Sequence, residues 1–281
     1  MKKNRLLKRC VPPVLFDLWK RVHLKDSLYY FNDFRLWEEA MAESDRLGGN
    51  YADQSIVEKV DESTQRVRRG EALYEQDGVC FFEENNNWEL LASLFYAKSV
   101  LGDITVLDMG GALGSTWFRY RKLIEDVAAK WCVVEQQSFV ERGKKNVPEI
   151  PFFYTIEEAI TSCKPNVLLL SSVLMYLDDP YKWFKEMLSK DFAYIIIDEN
   201  AFLTDENSED RIMLQHVPTS IYRAIYPLHI FGEKRFRNFI EKNGYEIVWE
   251  WQYRGGSIPI KNKLWFSNTV DKGFLLKKKS V

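Results

Sequence analysis

A doubly wound α/β fold, with a mostly parallel seven-stranded sheet and a helical extension ahead of it, is the architecture this sequence predicts. Three observations carry that expectation. Beyond residue 100, short apolar runs alternate with amphipathic segments, the pattern of consecutive βαβ units. Residues 166–171 form a continuous apolar run of the kind that parallel sheets bury on both faces. Residues 104–107 lead directly into Asp108-Met109-Gly110-Gly111-Ala112-Leu113-Gly114, and a helix-like segment follows at 115–127. A strand, a glycine-rich turn and a helix make a nucleotide-binding corner, because glycine lets the backbone turn sharply and approach a ligand closely.

The elements follow in order. Residues 33–40 read as a helix entry, with Asp33 as its cap and Phe34 and Trp37 on one face, and Gly48 and Gly49 end it. Residues 55–70 place Ile56, Val57, Val60 and Val67 on one side of a second helix. Residues 88–100 make a third, with Trp88, Leu91, Ala92, Phe95 and Tyr96 sharing a face. Strands are then expected at 104–107, 131–135, 151–154, 166–171 and 193–198, and helices at 139–146, 156–161, 181–188 and 234–243, the last closed by Gly244. Residues 245–253 and 273–277 are late strands. Residues 203–232 are too long for a simple connection and read as a lid or substrate-binding insertion. The chain therefore divides into a basic arm with helical extension (1–100) and an α/β domain (101–281).

Composition narrows the function classes. The 281 residues are 46% hydrophobic and 28% charged, with a formal net charge of -2, so the chain as a whole has no nucleic-acid footprint. None of the four cysteines, Cys10, Cys80, Cys132 and Cys163, forms a CxxC pair or a zinc-like spacing with the three histidines, so no metal is expected. A reduced, cytoplasmic protein is the expected setting. Residues 1–25 carry Lys2, Lys3, Arg5, Lys8 and Arg9 ahead of a short apolar stretch broken by Pro12 and Pro13. That stretch makes a poor signal peptide. A solvated basic arm is the favoured reading; the alternative is a weak peripheral contact with the inner face of a membrane through Leu15, Phe16 and Trp19.

The glycine corner discriminates among ligands. A dinucleotide fingerprint aligned on Gly110 would want glycine where Ala112 and Ser115 stand, and no GK[ST] phosphate loop occurs. Asp108, Gly110 and Gly114 instead fit an acidic-x-G-x-G-x-G pattern, with Gly111 inside the turn and Ala112 replacing the central glycine. A carboxylate at this strand end suits a cationic ligand and repels a pyrophosphate. Glu135, at the end of the second strand, stands where an acidic residue receives ribose hydroxyls. Ser171 and Ser172 end the fourth strand, on the edge where open α/β sheets bind ligands.

On these residues the chain resembles the class I S-adenosylmethionine-dependent methyltransferases, with their Rossmann-like fold. More narrowly, it is similar to a bacterial family of methyltransferase-like proteins often encoded beside surface-polysaccharide biosynthesis genes. That likeness includes Trp37-Glu38-Glu39-Ala40, Tyr74-Glu75-Gln76-Asp77, Trp88-Glu89-Leu90-Leu91 and Gln215-His216-Val217-Pro218. Asp198-Glu199-Asn200-Ala201-Phe202 lacks the Thr-Pro expected there. The resemblance implies S-adenosyl-L-methionine as cofactor and a sugar or glycan precursor as methyl acceptor. A hydroxyl acceptor benefits from a general base. His216, in the inserted segment, is the first candidate and Asp198 the second; Gln215, Tyr222 and Tyr226 are candidate acceptor contacts. Two other readings stay open: a methyltransferase-fold scaffold without activity, and an NAD-dependent oxidoreductase.

Overall fold

The computed structural model describes residues 27–48, 54–124, 130–253, 257–261 and 266–279. The expectations for the N-terminal arm, and with them Cys10 and the membrane contact, fall outside these residues. Among the described residues no helix is long and apolar enough to cross a membrane.

In chain order the elements are β1 (Tyr29–Phe34), α1 (Trp37–Arg46), α2 (Gln54–Arg68), β2 (Tyr74–Gln76), β3 (Val79–Phe81), α3 (Trp88–Leu101), β4 (Thr105–Met109), α4 (Ser115–Ile124) and β5 (Lys130–Val134). Next come α5 (Gln137–Asn146), β6 (Phe152–Phe153), α6 (Ile156–Cys163), β7 (Val167–Ser171), a 3-10 turn (Leu174–Tyr176) and α7 (Pro180–Leu188). The chain continues through β8 (Tyr194–Leu203), β9 (Arg211–Val217), β10 (Ala224–Ile230), α8 (Glu233–Lys242), β11 (Tyr245–Gln252), β12 (Pro259–Lys261) and β13 (Phe266–Lys278).

Seven strands form the expected core, ordered β6-β5-β4-β7-β8-β13-β11. Within it β13 alone runs against its neighbours β8 and β11. This is the strand order of the Rossmann-like methyltransferase fold. Residue parity distributes the core. Leu107, Leu168, Leu170, Ile195 and Ile197 point to one face, where Ile156, Phe184, Met187, Phe236 and Ile240 of α6, α7 and α8 cover them. Val106, Leu169 and Ile196 point to the other, under Ile56, Leu90, Leu94, Phe118 and Phe139 of α2 to α5. Alternating side chains of a strand leave on opposite faces, so an unbroken apolar run feeds both layers.

The sheet is larger than seven strands. It continues from β13 through β12, β1, β9 and β10, giving eleven strands in all. One edge of β13 pairs β12 at 266–268 and β11 at 272–278, while the other pairs β8 at 269–277 with a bulge between Lys272 and Phe274. There Gly273 leaves room for Trp251, whose ring lies 2.1 Å from where a Cβ would stand.

Three local expectations are corrected. The first 100 residues are not wholly helical: Tyr29-Tyr30-Phe31, an aromatic run suited to a strand, pairs with β9 and β12. Asp33 therefore lies in β1 and pairs with Arg211 at 2.7 Å, while Leu36 occupies the cap position of α1. In α3 the buried residues are Leu90, Leu91, Ser93, Leu94 and Ala97, whereas Trp88 is 62% exposed and Phe95 38%. The packed stripe runs about one position away from the one the aromatic residues suggested.

Candidate functional site

One cavity of about 1360 Å³ opens along the carboxyl ends of β4, β5, β7 and β8, roofed by α1, the β2–β3 hairpin, β10 and β13. Strand ends of an open α/β sheet leave such a crevice where the connections diverge.

The glycine corner forms its floor. Gly110 has φ +71°, and an added Cβ would sit 2.8 Å from Val173 Cγ2. Gly114 has φ +86°, and a Cβ there would lie 2.4 Å from Ile150 Cδ1. Both positions need glycine for conformation and for space. Gly111 needs it because of Asp108, whose Cγ is 2.6 Å from the would-be Cβ. Asp108 is buried and accepts a hydrogen bond from Trp131 Nε1 at 3.2 Å. Burial pushes its carboxyl up to about 7 despite that bond. Ala112 takes the left-handed φ of +49°, and its N–H donates to Glu135 Oε1 at 3.3 Å. Glu135 also accepts from the Gln136 N–H at 2.6 Å, and burial raises it to about 7. The structure thus brings Asp108, Gly110, Gly111, Glu135, Ser171 and Ser172 to one cavity wall, while Gly114 lies just behind it.

Asp198 lies at the cavity but is tied down. It accepts from Asn87 Nδ2 at 3.0 and 3.2 Å, from Ser171 Oγ at 3.3 Å and from the Tyr253 hydroxyl. Asn87 is also the cap of α3, accepting the Leu90 N–H at 3.0 Å, and its own N–H reaches the Tyr120 hydroxyl at 2.8 Å. The Asp198 carboxylate therefore pins the middle of β8 to the start of α3, and burial raises its pKa.

The inserted segment separates its candidates by parity. Residues 203–232 contain an antiparallel pair, β9 and β10, in which Gln215 faces Tyr226 and, across β1, Tyr30. Gln215 Oε1 accepts from the Tyr176 hydroxyl at 2.9 Å, and its Nε2 donates to the Tyr226 hydroxyl at 3.1 Å. Tyr222 follows, 3.5 Å from Tyr226, oxygen to oxygen. Gln215, Tyr222 and Tyr226 therefore meet on the cavity wall. His216 does not join them. It stacks on Tyr29, centroids 4.6 Å apart, with Nδ1 3.3 Å from the Ser27 carbonyl oxygen, and it does not line the cavity. One step along a strand turns a side chain to the other face, so the Gln215 position excludes His216.

Several cavity residues escaped the sequence reading. Glu199 was visible as a second acid directly after Asp198, and Glu75 and Asp77 stood in the Tyr74-Glu75-Gln76-Asp77 motif. Tyr30, Arg119 and Asp271 gave no local signal, because each enters the cavity only through strand or helix packing.

No family model matches the chain, and no curated protein matches it. Solved structures do match. A SAM-dependent methyltransferase from Methanosarcina mazei is 11% identical, the match covering 66% of this chain and 98% of that one, with a TM-score of 0.46. The N-terminal domain of EvdMO1, solved in the presence of SAH and D-fucose, is 13% identical over 77% of this chain and 97% of its own, with a TM-score of 0.46. The glycopeptide N-methyltransferase MtfA, complexed with S-adenosyl-L-methionine, is 10% identical over 67% and 93%, with a TM-score of 0.44. At these identities the likenesses carry no information on ligand or acceptor.

Proposed function

We propose that the protein is an S-adenosylmethionine-dependent methyltransferase whose acceptor is a sugar or glycan precursor of a surface polysaccharide. The observation that carries the cofactor half is the pairing of Asp108 and Glu135 on either side of a turn whose Gly111 has no room for a side chain. The donor set fits adenosylmethionine. Asp108 offers a carboxylate to its cationic end, Glu135 offers oxygens to ribose hydroxyls, and Ser171 and Ser172 flank the space between. Bound there, the cofactor supplies an electrophilic sulfonium methyl. The chain itself contributes position and exclusion of water, which suit a displacement whose charge disperses in the transition state.

The acceptor half rests on the family resemblance and on the Tyr176–Gln215–Tyr226 hydrogen-bonded chain, which lines the cavity with phenol rings and hydroxyls. Asp198 serves as a positioning residue in this reading, since its oxygens are taken by Asn87, Ser171 and Tyr253.

Calorimetric titration with S-adenosylhomocysteine and with NAD tests the cofactor. Adenosylhomocysteine should bind and NAD should not. Glu135→Ala should weaken adenosylhomocysteine by roughly tenfold or more, the loss of a hydrogen bond to a charged group. Binding of NAD alone, or of neither ligand, overturns the assignment.

A further inference from the structure

Away from the glycine corner the cavity is strongly acidic. Nine Asp and Glu side chains besides Asp108 and Glu135 line it among the described residues, against a single basic one, Arg119. Arg119 is partly engaged: its guanidinium lies 4.1 Å from the ring centre of Tyr74 and 5.2 Å from that of Tyr120, and it donates through one terminal nitrogen to the Asn85 carbonyl oxygen, while its buried Nε has no partner among the described residues. Glu199 feels both Arg119 and a group of like charges, Asp198, Asp77 and Asp271. Among the described residues neither the Glu199 nor the Asp271 side chain accepts a hydrogen bond, in contrast to Asp198, whose carboxylate has three donors. Glu199 is also held at a left-handed φ of +50° next to Ser172, itself at +53°, and the Ser172 hydroxyl donates to the Glu199 carbonyl oxygen at 3.0 Å. Strain of this kind is kept where the surroundings over-determine it, often at ligand sites. Burial and like charge hold Glu199 up at about 8, and burial holds Asp271 at about 7.

A second observation is independent of charge. Tyr30 lines the same cavity with 0% of its surface exposed, and its hydroxyl has no hydrogen-bond partner among the described residues. Asp271 is the charged group it senses. Buried hydroxyls in native structures are nearly always paired, so an orphan that faces a cavity calls for a polar ligand. That ligand must tolerate a carboxylate beside it.

We propose that the end of the cavity bounded by Tyr30, Glu199 and Asp271 takes a protonated amine that also carries hydroxyls, the chemistry of an amino sugar, and rejects phosphorylated sugars. An ammonium donates to unsatisfied carboxylates and offsets their mutual repulsion. A vicinal hydroxyl accepts from or donates to Tyr30. A sugar diphosphate brings further negative charge into a wall where carboxyl groups far outnumber the single guanidinium. The identification of this ligand as the methyl acceptor rests on the methyltransferase reading; its binding does not.

The test is calorimetric titration of the full chain, with and without saturating S-adenosylhomocysteine, using D-glucosamine, D-glucose and uridine diphosphate glucose as probes. Glucosamine should bind at least tenfold more tightly than glucose, uridine diphosphate glucose should bind weakest, and glucosamine affinity should fall as salt rises from 50 to 300 mM, as charge screening requires. The isosteric pair Glu199→Gln with Asp271→Asn should lower glucosamine affinity at least tenfold and leave S-adenosylhomocysteine affinity within twofold. Tighter binding of the nucleotide sugar, no glucosamine binding, or salt-independent glucosamine binding overturns the proposal. The salt arm uses the unsubstituted chain and stands even where the double variant fails to fold. Glucosamine binding without adenosylhomocysteine binding would instead remove the methyltransferase reading and leave this site in place.

Discussion

Asp108 and Gly111 occupy the same space: a Cβ on residue 111 would stand 2.6 Å from both Cγ and Oδ2 of the Asp108 carboxylate. The carboxylate is thereby packed against bare backbone, with Trp131 Nε1 as its one hydrogen-bond donor among the described residues. Gly111→Ala should force Asp108 from this position. The expected cost is about 1–3 kcal/mol of stability, the usual range for overpacking, with a loss of adenosylhomocysteine affinity larger than the stability loss explains. Urea unfolding and calorimetry check this together; an unchanged affinity would show that Asp108 has no part in cofactor binding.

Asp108 also predicts a pH dependence. Its folded-state pKa is raised from near 4 to about 7 by burial. A raised carboxyl stabilises the fold fully below the unfolded value, and that contribution disappears as pH climbs through the folded value. The ligand-free protein should therefore lose stability between about pH 4 and pH 7, with Asp108 contributing up to about 4 kcal/mol of the fall. Glu75 and Glu135, also held at about 7, act in the same direction. Asp108→Asn should flatten the profile, read as urea midpoints across this range; an equally steep profile in the variant would place the titration elsewhere.

Ala112 sits at φ +49° where the related motif carries glycine. A left-handed conformation costs a side-chain-bearing residue roughly 1–2 kcal/mol, partly offset by glycine's freer unfolded chain. Ala112→Gly should raise stability by up to about 1 kcal/mol without changing the denaturant slope. A lower midpoint would mean that the Ala112 methyl packs more favourably than its backbone is strained.

Gln215 and His216 should differ sharply as substitution sites. His216→Ala removes a ring stacked on Tyr29 outside the cavity, so cofactor affinity and turnover should both hold within about twofold. Gln215→Ala breaks the link between Tyr176 and Tyr226 and should raise the acceptor KM or lower kcat at least tenfold while cofactor affinity persists. A large drop in turnover for His216→Ala would restore that residue to the chemistry.

The core sheet and the glycine-corner wall of the cavity were legible in the sequence because both depend on local rules. Buried parallel strands require apolar runs, as at Val167–Ser171, and a close backbone approach requires glycine, as at Gly110 and Gly111. Even the acidic residues at two successive strand ends could be placed by counting along the chain. The acceptor side was decided by tertiary structure alone. Strand register turned Gln215 inward and His216 outward, and that register is set by Tyr29 and Tyr30, nearly two hundred residues earlier. Packing saturated Asp198 and left Glu199 beside it unsatisfied, a difference invisible in two adjacent acids. One edge of β13 passes from β12 at 266–268 to β11 at 272–278, and Asp271, between those two pairings in an otherwise unremarked strand, lines the same cavity as Tyr30. Side-chain period and glycine geometry act within a few residues, whereas the facing of a strand and the pairing of a buried carboxylate depend on partners that only the folded chain brings near.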